Sequence, residues 1–181
     1  MTDGCARIGA CSPGNFEPCM ASLRIREATP DDCDALGRLW QELMRFHAVL
    51  DADEYAVKDE ALPVWLDWLD SNVTSDSSAV FVADAQGEVV GYVLGKEGER
   101  PPVYADRRLG EIHEISVTHA WRRRGVGRRL VAALLGWFGE RHLTRIRVSA
   151  AACNPTSNAF WQAMGFQPCM NSMRRLIASG P

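Results

Sequence analysis

The run from Trp121 to Leu130 constrains the fold more than any other stretch of this chain. It reads Trp-Arg-Arg-Arg-Gly-Val-Gly-Arg-Arg-Leu and lies between two apolar patterns. Upstream, Ile112, Ile115 and Val117 indicate a β-strand. The downstream residues that recur at helical spacing are Val126, Leu130, Ala133, Leu134, Trp137 and Phe138. The run is therefore predicted to be the turn that leads from a strand into an α-helix.

This helix start is suited to binding an anion. The first N–H groups of an α-helix have no partner within the helix and lie at the positive end of its dipole, so they can donate to a phosphate. Gly125 and Gly127 carry no side chain that would block this approach, and glycine adopts φ values that other residues avoid. We therefore expect backbone amides, rather than arginine side chains, to make the main contacts.

Two common phosphate-binding loops are excluded by the spacing. A dinucleotide fingerprint needs a third glycine three residues after the second, where this chain has Leu130. A P-loop ends in Gly-Lys-Ser or Gly-Lys-Thr, and the run contains no such ending.

The overall charge argues against a nucleic-acid partner. The net charge is −3 and the isoelectric point is near 5.8, although five arginines lie between positions 122 and 129. Such a local cluster suits a compact polyphosphate better than a duplex. No window approaches the roughly 18 apolar residues of a membrane span, and the N-terminus lacks a basic segment followed by an apolar core. We expect a cytoplasmic protein with no membrane partner.

The cysteines indicate neither a metal site nor a disulfide framework. They form no Cys-x-x-Cys pair and have no histidine at ligand spacing, so free thiols are expected. The six are Cys5, Cys11, Cys19, Cys33, Cys153 and Cys169.

The order of predicted elements indicates an α/β sandwich around a mixed sheet. Residues 1 to 21 are predicted to be a mobile arm and residues 22 to 178 a single domain. A strand near 23 to 26 is followed by a helix with Thr29 as its N-cap, Pro30 at its first position and acidic residues such as Asp32 in its first turn, and its apolar stripe runs to about 47. A second helix from 57 to 69 and a hairpin of strands 79 to 83 and 89 to 95 follow. Next come a strand over 111 to 117, a helix over 125 to 141, a strand over 146 to 150, a helix over 154 to 164 and terminal sheet over 166 to 176.

Two separated motifs resemble those of one family, the GNAT superfamily of acetyl-CoA-dependent N-acetyltransferases. Arg122, Gly125 and Gly127 match its signature Gln/Arg-x-x-Gly-x-Gly/Ala. A second segment resembles its Asn-x-x-Ala-x-x-Phe-Tyr-x-x-x-Gly-Phe motif through Asn154, Phe160, Trp161, Gly165 and Phe166. The resemblance covers roughly residues 23 to 176. It implies a GNAT-like α/β/α sandwich around a mixed, largely antiparallel sheet that splays open.

The resemblance also implies where acetyl-CoA binds. The main chain of Ile115 and Val117 is expected to bind the pantetheine amides, the amides of residues 123 to 128 the pyrophosphate, and Asn154 is expected to line the pantetheine channel. The full set of expected cofactor residues is Ile115, Val117, Arg122, Arg123, Arg124, Gly125, Val126, Gly127, Arg128, Asn154 and Trp161.

Trp161 stands where the family often has a tyrosine that protonates the departing thiolate. An indole cannot deliver a proton at usable pH. We therefore expect Trp161 to pack against the cofactor channel while water protonates the thiolate. Ser157, Tyr92 and Tyr104 are alternative donors that the spacing does not distinguish.

Acyl transfer to an amine also needs a base, because an alkyl ammonium is mostly protonated near neutral pH. Glu111 and His113 fall where GNAT enzymes carry a catalytic Glu or His, and both are candidates. Alternation along a strand places these two with Ile115 and Val117 on one face, and Glu114 and Ser116 on the other. Glu114 is expected to orient a neighbour or to lie among the helices as a satisfied polar group.

The resemblance implies an N-acetyltransferase that acts on a primary amine of a small molecule or peptide by direct attack in a ternary complex. The acceptor is expected between residues 50 to 57, 98 to 108 and 169 to 173, where Asp51, Asp53 and Glu54 would attract a cation. The departure at Trp161 leaves open an acyl-CoA-binding regulatory module, and the arginine turn leaves open nucleic-acid binding. Exposed sheet edges near the C-terminus would allow a homodimer.

Overall fold

The computed structural model describes residues 22 to 177, so the arm predicted for residues 1 to 21 lies outside the described part. Within that part the strands are β1 (Leu23–Glu27), β2 (Ser78–Ala85), β3 (Glu88–Glu99), β4 (Arg108–Val117) and β5 (Ile146–Val148). The α-helices are α1 (Cys33–Leu50), α2 (Ala61–Val73), α3 (Val126–Glu140) and α4 (Pro155–Ala163). No helix between residues 22 and 177 has the length and apolar character needed to cross a membrane.

The five strands form one mixed sheet in the order β1-β2-β3-β4-β5. Neighbours from β1 to β4 are antiparallel, whereas β5 runs parallel to β4. The predicted hairpin joins β2 to β3, and the Asp84 carboxylate accepts from the Gly87 N–H at 2.7 Å in its turn. This turn holds Gln86 at φ 58° and Gly87 at φ 91°, and the second of these positions has the glycine that adopts such a φ without strain. The predicted α/β class is confirmed.

Two apolar clusters cover the two faces of the sheet. On one face α3 packs through Leu130, Leu134 and Phe138, all of which are fully buried. On the other face α1 and α2 pack against Tyr92 and Leu94 of β3. Since successive side chains of a strand point to opposite faces, Val93 lies in the α3 cluster between these two residues. The sheet is therefore the middle layer of a sandwich.

Two predicted elements need correction. The second helix begins at Ala61 instead of residue 57, since residues 51 to 60 form turns and irregular chain. The terminal strand over 166 to 176 is wrong, since the described chain after α4 contains no strand. The neighbouring edge strand β5 has only three residues, and Pro168 lacks the N–H that a ladder would use. Met173 and Ile177 stay 95% and 84% exposed. The homodimer was expected from exposed sheet edges near the C-terminus, and the described chain has no strand after α4. The homodimer stays a prediction.

A charged network holds the chain before α1 against the sheet. Arg26 of β1 donates to both Asp32 carboxylate oxygens at 2.8 Å and to Asp84 Oδ2 at 3.0 Å. The Asp32 carboxylate also accepts from the Thr29 N–H at 2.8 Å, which completes a capping box where the sequence predicts a helix start. The hydrogen bonds from Arg26 lower the pKa of Asp32 from 3.8 to about 2.

Replacing Asp32 with asparagine is expected to lower the free energy of unfolding at pH 7 by about 2 kcal/mol. A carboxyl whose folded pKa is depressed contributes stability above its unfolded pKa of 3.8, and this is lost as the pH falls towards about 2. The difference in the free energy of unfolding between the native protein and the variant should therefore disappear as the pH falls from 3.8 to about 2. Urea unfolding measures it. Asp31→Asn, at an exposed neighbour, is the matched control, and an equal loss in both variants would contradict the role of the network.

Candidate active site

The sheet opens between β4 and β5. Cα partners link Gly110 to Ile146, Glu111 to Arg147 and Ile112 to Val148, and within the described chain the pairing goes no further. Residues 113 to 117 of β4 therefore have no strand partner on this edge. Unpaired backbone N–H and C=O groups of a strand can bind amides of an extended ligand. The splayed sheet implied by the resemblance is present.

A β-bulge interrupts β4 beside this opening. Leu94 of β3 is paired with Glu114, but the next residue, Gly95, is paired with Ile112, so His113 is the extra residue. The extra residue reverses the alternation of side chains from that point on. The predicted division of faces over 111 to 117 is therefore wrong.

Because of the bulge, the polar side chains of β4 lie on the side of α1 and α2. Ile112, Ile115 and Val117 lie in the cluster beside α3. The polar residues on the opposite face are Glu111, His113, Glu114 and Ser116. Glu111 and His113, the two candidate bases, are thus on one face as predicted, but without Ile115 and Val117.

Trp68 and Lys96, which the sequence did not indicate, lie beside these two candidates. The His113 ring lies 6.1 Å from the Trp68 ring of α2, and Lys96 Nζ lies 5.7 Å from the centre of the same ring. Lys96 is also the cross-strand partner of Glu111. Trp68 follows Trp65 at helical spacing, which is the only sequence signal that would have pointed to it.

The surroundings of His113 favour its neutral form. Desolvation of the ring lowers the pKa of His113, and the Lys96 charge lowers it further, although the Glu111 carboxylate acts in the opposite direction. The net shift is downward from 6.5. A neutral imidazole can accept a proton, so His113 has the protonation state that a base requires near pH 7.

The glycine turn has the geometry expected of an anion site. Gly125 precedes α3 with φ 81° and ψ 0°, and Arg123 has φ 61°. A Cβ added at Gly125 would meet no atom within 4 Å, so open space lies beside the helix start. At Gly127 an added Cβ would lie 3.4 Å from the Phe160 ring, so a larger side chain would be confined by α4. The described residues fit a phosphate at this position.

The fold itself uses three of the five arginine side chains. Each donates to a backbone carbonyl: Arg122 Nε to Val117 at 2.8 Å, Arg124 Nε to Ala120 at 3.1 Å and Arg129 Nη2 to Leu23 at 3.0 Å. Arg123 and Arg128 are exposed. These contacts favour the expectation that amides, and not guanidinium groups, make the main phosphate contacts.

The two cofactor residues expected in the second motif have structural contacts. Asn154 is 7% exposed, and its Oδ1 accepts from the Ser157 N–H at 3.0 Å as the N-cap of α4. Trp161 is 5% exposed, and its ring centre lies 5.0 Å from that of Phe160 and 5.2 Å from that of Phe166. Trp161 is thus part of the core beside α3. Contacts of either residue with a cofactor stay predictions.

The structure separates the alternative proton donors. Tyr92 is fully buried and its hydroxyl donates to Glu114 on the α1–α2 side, so it is not available to a departing thiolate. Tyr104 lies in the β3–β4 loop, with its ring 3.7 Å from the Arg100 guanidinium. Ser157 is in the first turn of α4.

The acidic loop after α1 is already paired with a cation. Arg174 Nη2 lies 2.9 Å from Asp51 Oδ2, and Arg174 Nη1 lies 2.8 Å from Glu54 Oε2. The hydrogen bond from Arg174 lowers the pKa of Asp51. The same loop contacts α1 through the Tyr55 ring, which stacks on His47 at 4.6 Å. The C-terminal segment therefore offsets part of the negative charge that was expected to attract an acceptor.

A mixed α/β sheet that opens beside a glycine-rich helix start is typical of α/β proteins that can hold an extended, phosphorylated ligand. Residues 38 to 166 match the family model described as "Acetyltransferase (GNAT) family", and the chain belongs to this family of acetyltransferases. The resemblance found in the sequence is confirmed. Members of the family are acyltransferases that use acetyl-CoA.

Similar proteins agree with this membership. The chain is 29% identical over 121 residues to an "Uncharacterized N-acetyltransferase" of Archaeoglobus fulgidus, a match that covers 66% of this chain and 76% of the relative. A tetramutant of the BH1408 protein from Bacillus halodurans has a TM-score of 0.77 at 20% identity, covering 85% of this chain and 99% of that one. The aminoglycoside N-acetyltransferase AAC(6')-Iy in complex with CoA has a TM-score of 0.65 at 19% identity, covering 87% and 95%. At identities this low, the likeness to these two structures shows a shared fold and nothing beyond it.

Proposed function

We propose that the protein transfers the acetyl group of acetyl-CoA to a primary amine of a small molecule or peptide, by direct attack in a ternary complex. One observation carries the proposal: β4 presents an unpaired backbone edge over residues 113 to 117, with His113 at its start and Glu111 two residues before it. A donor lying along that edge would end beside two candidate bases. Holding amine and donor together in this way is a major source of rate.

Two groups of residues would bind two different parts of the donor. Amides of residues 123 to 128 would hold the pyrophosphate in the open space beside Gly125. The main chain of Ile115 and Val117 would bind the pantetheine amides. When bound, acetyl-CoA supplies an activated acetyl thioester. A backbone N–H of β4 directed at the thioester oxygen would stabilise the charge that develops there, by about 3 kcal/mol.

The proton of the acceptor ammonium passes to Glu111 or His113, directly or through water. Both lie on the same face, and the lowered pKa of His113 keeps its imidazole available as an acceptor. Water protonates the departing thiolate, because Trp161 cannot supply a proton. The thiol of CoA resembles that of cysteine, whose pKa is about 8.5, so the thiolate is already a good leaving group.

The acceptor would bind between residues 50 to 57, 98 to 108 and 169 to 173. The pairing of Arg174 with Asp51 and Glu54 supports an acceptor that is not held by that acidic loop alone. The structural neighbour AAC(6')-Iy is named an aminoglycoside N-acetyltransferase. An aminoglycoside is therefore one of the amines to be tested here.

The proposal is tested by measuring thiol release from acetyl-CoA with polyamines, amino acids, aminoglycosides and peptides with free N-termini. We expect heat on titration of CoA and thiol release with at least one class of amine. CoA binding without release across the panel would favour the regulatory module that Trp161 leaves open. No heat with well-folded protein would contradict coenzyme binding altogether.

A further inference from the structure

Glu114 is a partly buried carboxylate that the proposed mechanism does not use. Its Oε1 accepts from the Trp65 indole N–H at 3.1 Å, and its Oε2 accepts from the Tyr92 hydroxyl at 2.8 Å. Tyr92 is fully buried and Trp65 is 7% exposed. Both carboxylate oxygens are therefore satisfied inside the layer between the sheet and the helices.

These contacts attach β4 to three other elements at the bulge. Tyr92 lies on β3 and Trp65 on α2, while Trp40 of α1 stacks on Trp65 with ring centres 5.1 Å apart. Two residues further along β4, the Ser116 hydroxyl donates to the Leu39 carbonyl of α1 at 3.3 Å. The segment 113 to 117 is thus fixed from the helix side, while its edge towards β5 is unpaired.

The identity of residue 114 selects between a bulged and a regular strand. Ile112 faces the apolar cluster beside α3, so regular alternation from Ile112 would direct the Glu114 carboxylate into that cluster. The extra residue His113 instead brings Glu114 to the side where Tyr92 and Trp65 can donate to it. Placing an unpaired carboxylate among apolar side chains is costly, so Glu114 favours the bulge.

Stability alone does not explain a carboxylate at this position. Burial raises the pKa of Glu114, and the hydrogen bonds from Tyr92 and Trp65 oppose this only in part. Apolar residues in place of Glu114 and of both its donors could fill the same space at little cost in stability. A requirement for the bulged backbone itself accounts for the residue better.

We propose that Glu114 is a positioning residue: it fixes the bulge of β4, and thereby sets the direction of the unpaired edge over 113 to 117 and the position of His113. This inference rests on the proposed function, because that edge and His113 are where the thioester and the amine would meet. A regular strand would turn the side chains of Ile115 and Val117 to the other face, and this would displace both the unpaired edge and His113.

The test compares Glu114→Leu and Glu114→Gln with the native protein. In the leucine variant kcat is expected to fall about 100-fold, because a small misplacement of reacting groups has effects of this size. CoA affinity should fall less than kcat does, by about tenfold, because the pyrophosphate contacts at the helix start are kept while the pantetheine contacts of residues 115 and 117 shift. Glutamine keeps the shape and one acceptor oxygen, so it should restore a large part of kcat. Glu140→Leu, on the exposed end of α3, is the matched control.

Hydrogen exchange of the backbone amides of residues 113 to 117 provides a second readout. We expect faster exchange in Glu114→Leu and near-native exchange in Glu114→Gln. If the protein transfers acetyl to no amine, the proposed function fails, and this exchange measurement still decides whether Glu114 fixes the bulge. A folded leucine variant with native kcat and native exchange would overturn the inference.

Tyr92→Phe covers the case in which the leucine variant does not fold. It removes the donor to Glu114 Oε2 while keeping the buried ring. A roughly tenfold lower kcat is expected, with a smaller change in KM for acetyl-CoA, since the contacts at the helix start are kept. Unchanged kcat and exchange in this variant would overturn the role of Glu114.

Discussion

Replacing Glu111 with glutamine is expected to lower kcat by about 100-fold or more, because the amide keeps the shape of the side chain but cannot accept a proton. The Kd of CoA should stay at its native value, since Glu111 lies on the face opposite α3. Stopped-flow or steady-state thiol release gives kcat, and calorimetry gives the Kd. Glu88→Gln, at the exposed start of β3, is the matched control.

His113→Ala tests the other candidate in the same assay. If His113 is the base, this variant shows the large loss of kcat and Glu111→Gln does not. The acid limb of the native pH profile should then fall below pH 6.5, because the pKa of His113 is lowered and the ring is neutral above that value. Native kcat in both variants would remove both residues from the mechanism.

Replacing Gly125 with valine is expected to weaken CoA binding by about 100-fold, equivalent to about 2.7 kcal/mol. Gly125 has φ 81°, a conformation in which a β-branched residue is strained. Its side chain would also enter the open space where the pyrophosphate is proposed to bind. Calorimetric titration of CoA measures the loss.

Gly136→Ala provides the control for this change. Gly136 lies within α3, and an added Cβ meets no atom within 4 Å, so alanine should leave CoA affinity unchanged and favour the helix. Native CoA affinity in a folded Gly125→Val variant would refute the role of the turn amides. Equal losses in both variants would indicate that α3 as a whole, and not the turn, had been disturbed.

Elements specified by neighbouring residues could be predicted from the sequence. The β2–β3 hairpin has its turn residues between two apolar strands, and α3 follows Gly125 with its apolar residues at helical spacing. Thr29, Pro30 and Asp32 likewise marked the approach to α1. In each case the signal lies within a few residues, so backbone preference and periodicity are enough to reveal it.

The details of the candidate site depended on contacts between distant residues. Asp51 and Arg174 are 123 positions apart, and no local pattern indicates their pairing. Trp68 reaches His113 only because α2 packs across the sheet. A terminal strand was predicted over 166 to 176, but a strand also needs a partner edge, and β5 is too short to provide one.

The sequence by itself determined the class of fold and the glycine-rich start of α3, because glycines, helix starts and apolar periodicity act over a few residues. It also marked Glu111 and His113 as candidate bases by their distance from Gly125. Only the tertiary structure decided which face of β4 each side chain occupies. A strand's alternation is reversed by one extra residue, and the bulge at His113 exists only in the pairing of β4 with β3 and in the hydrogen bonds that hold Glu114.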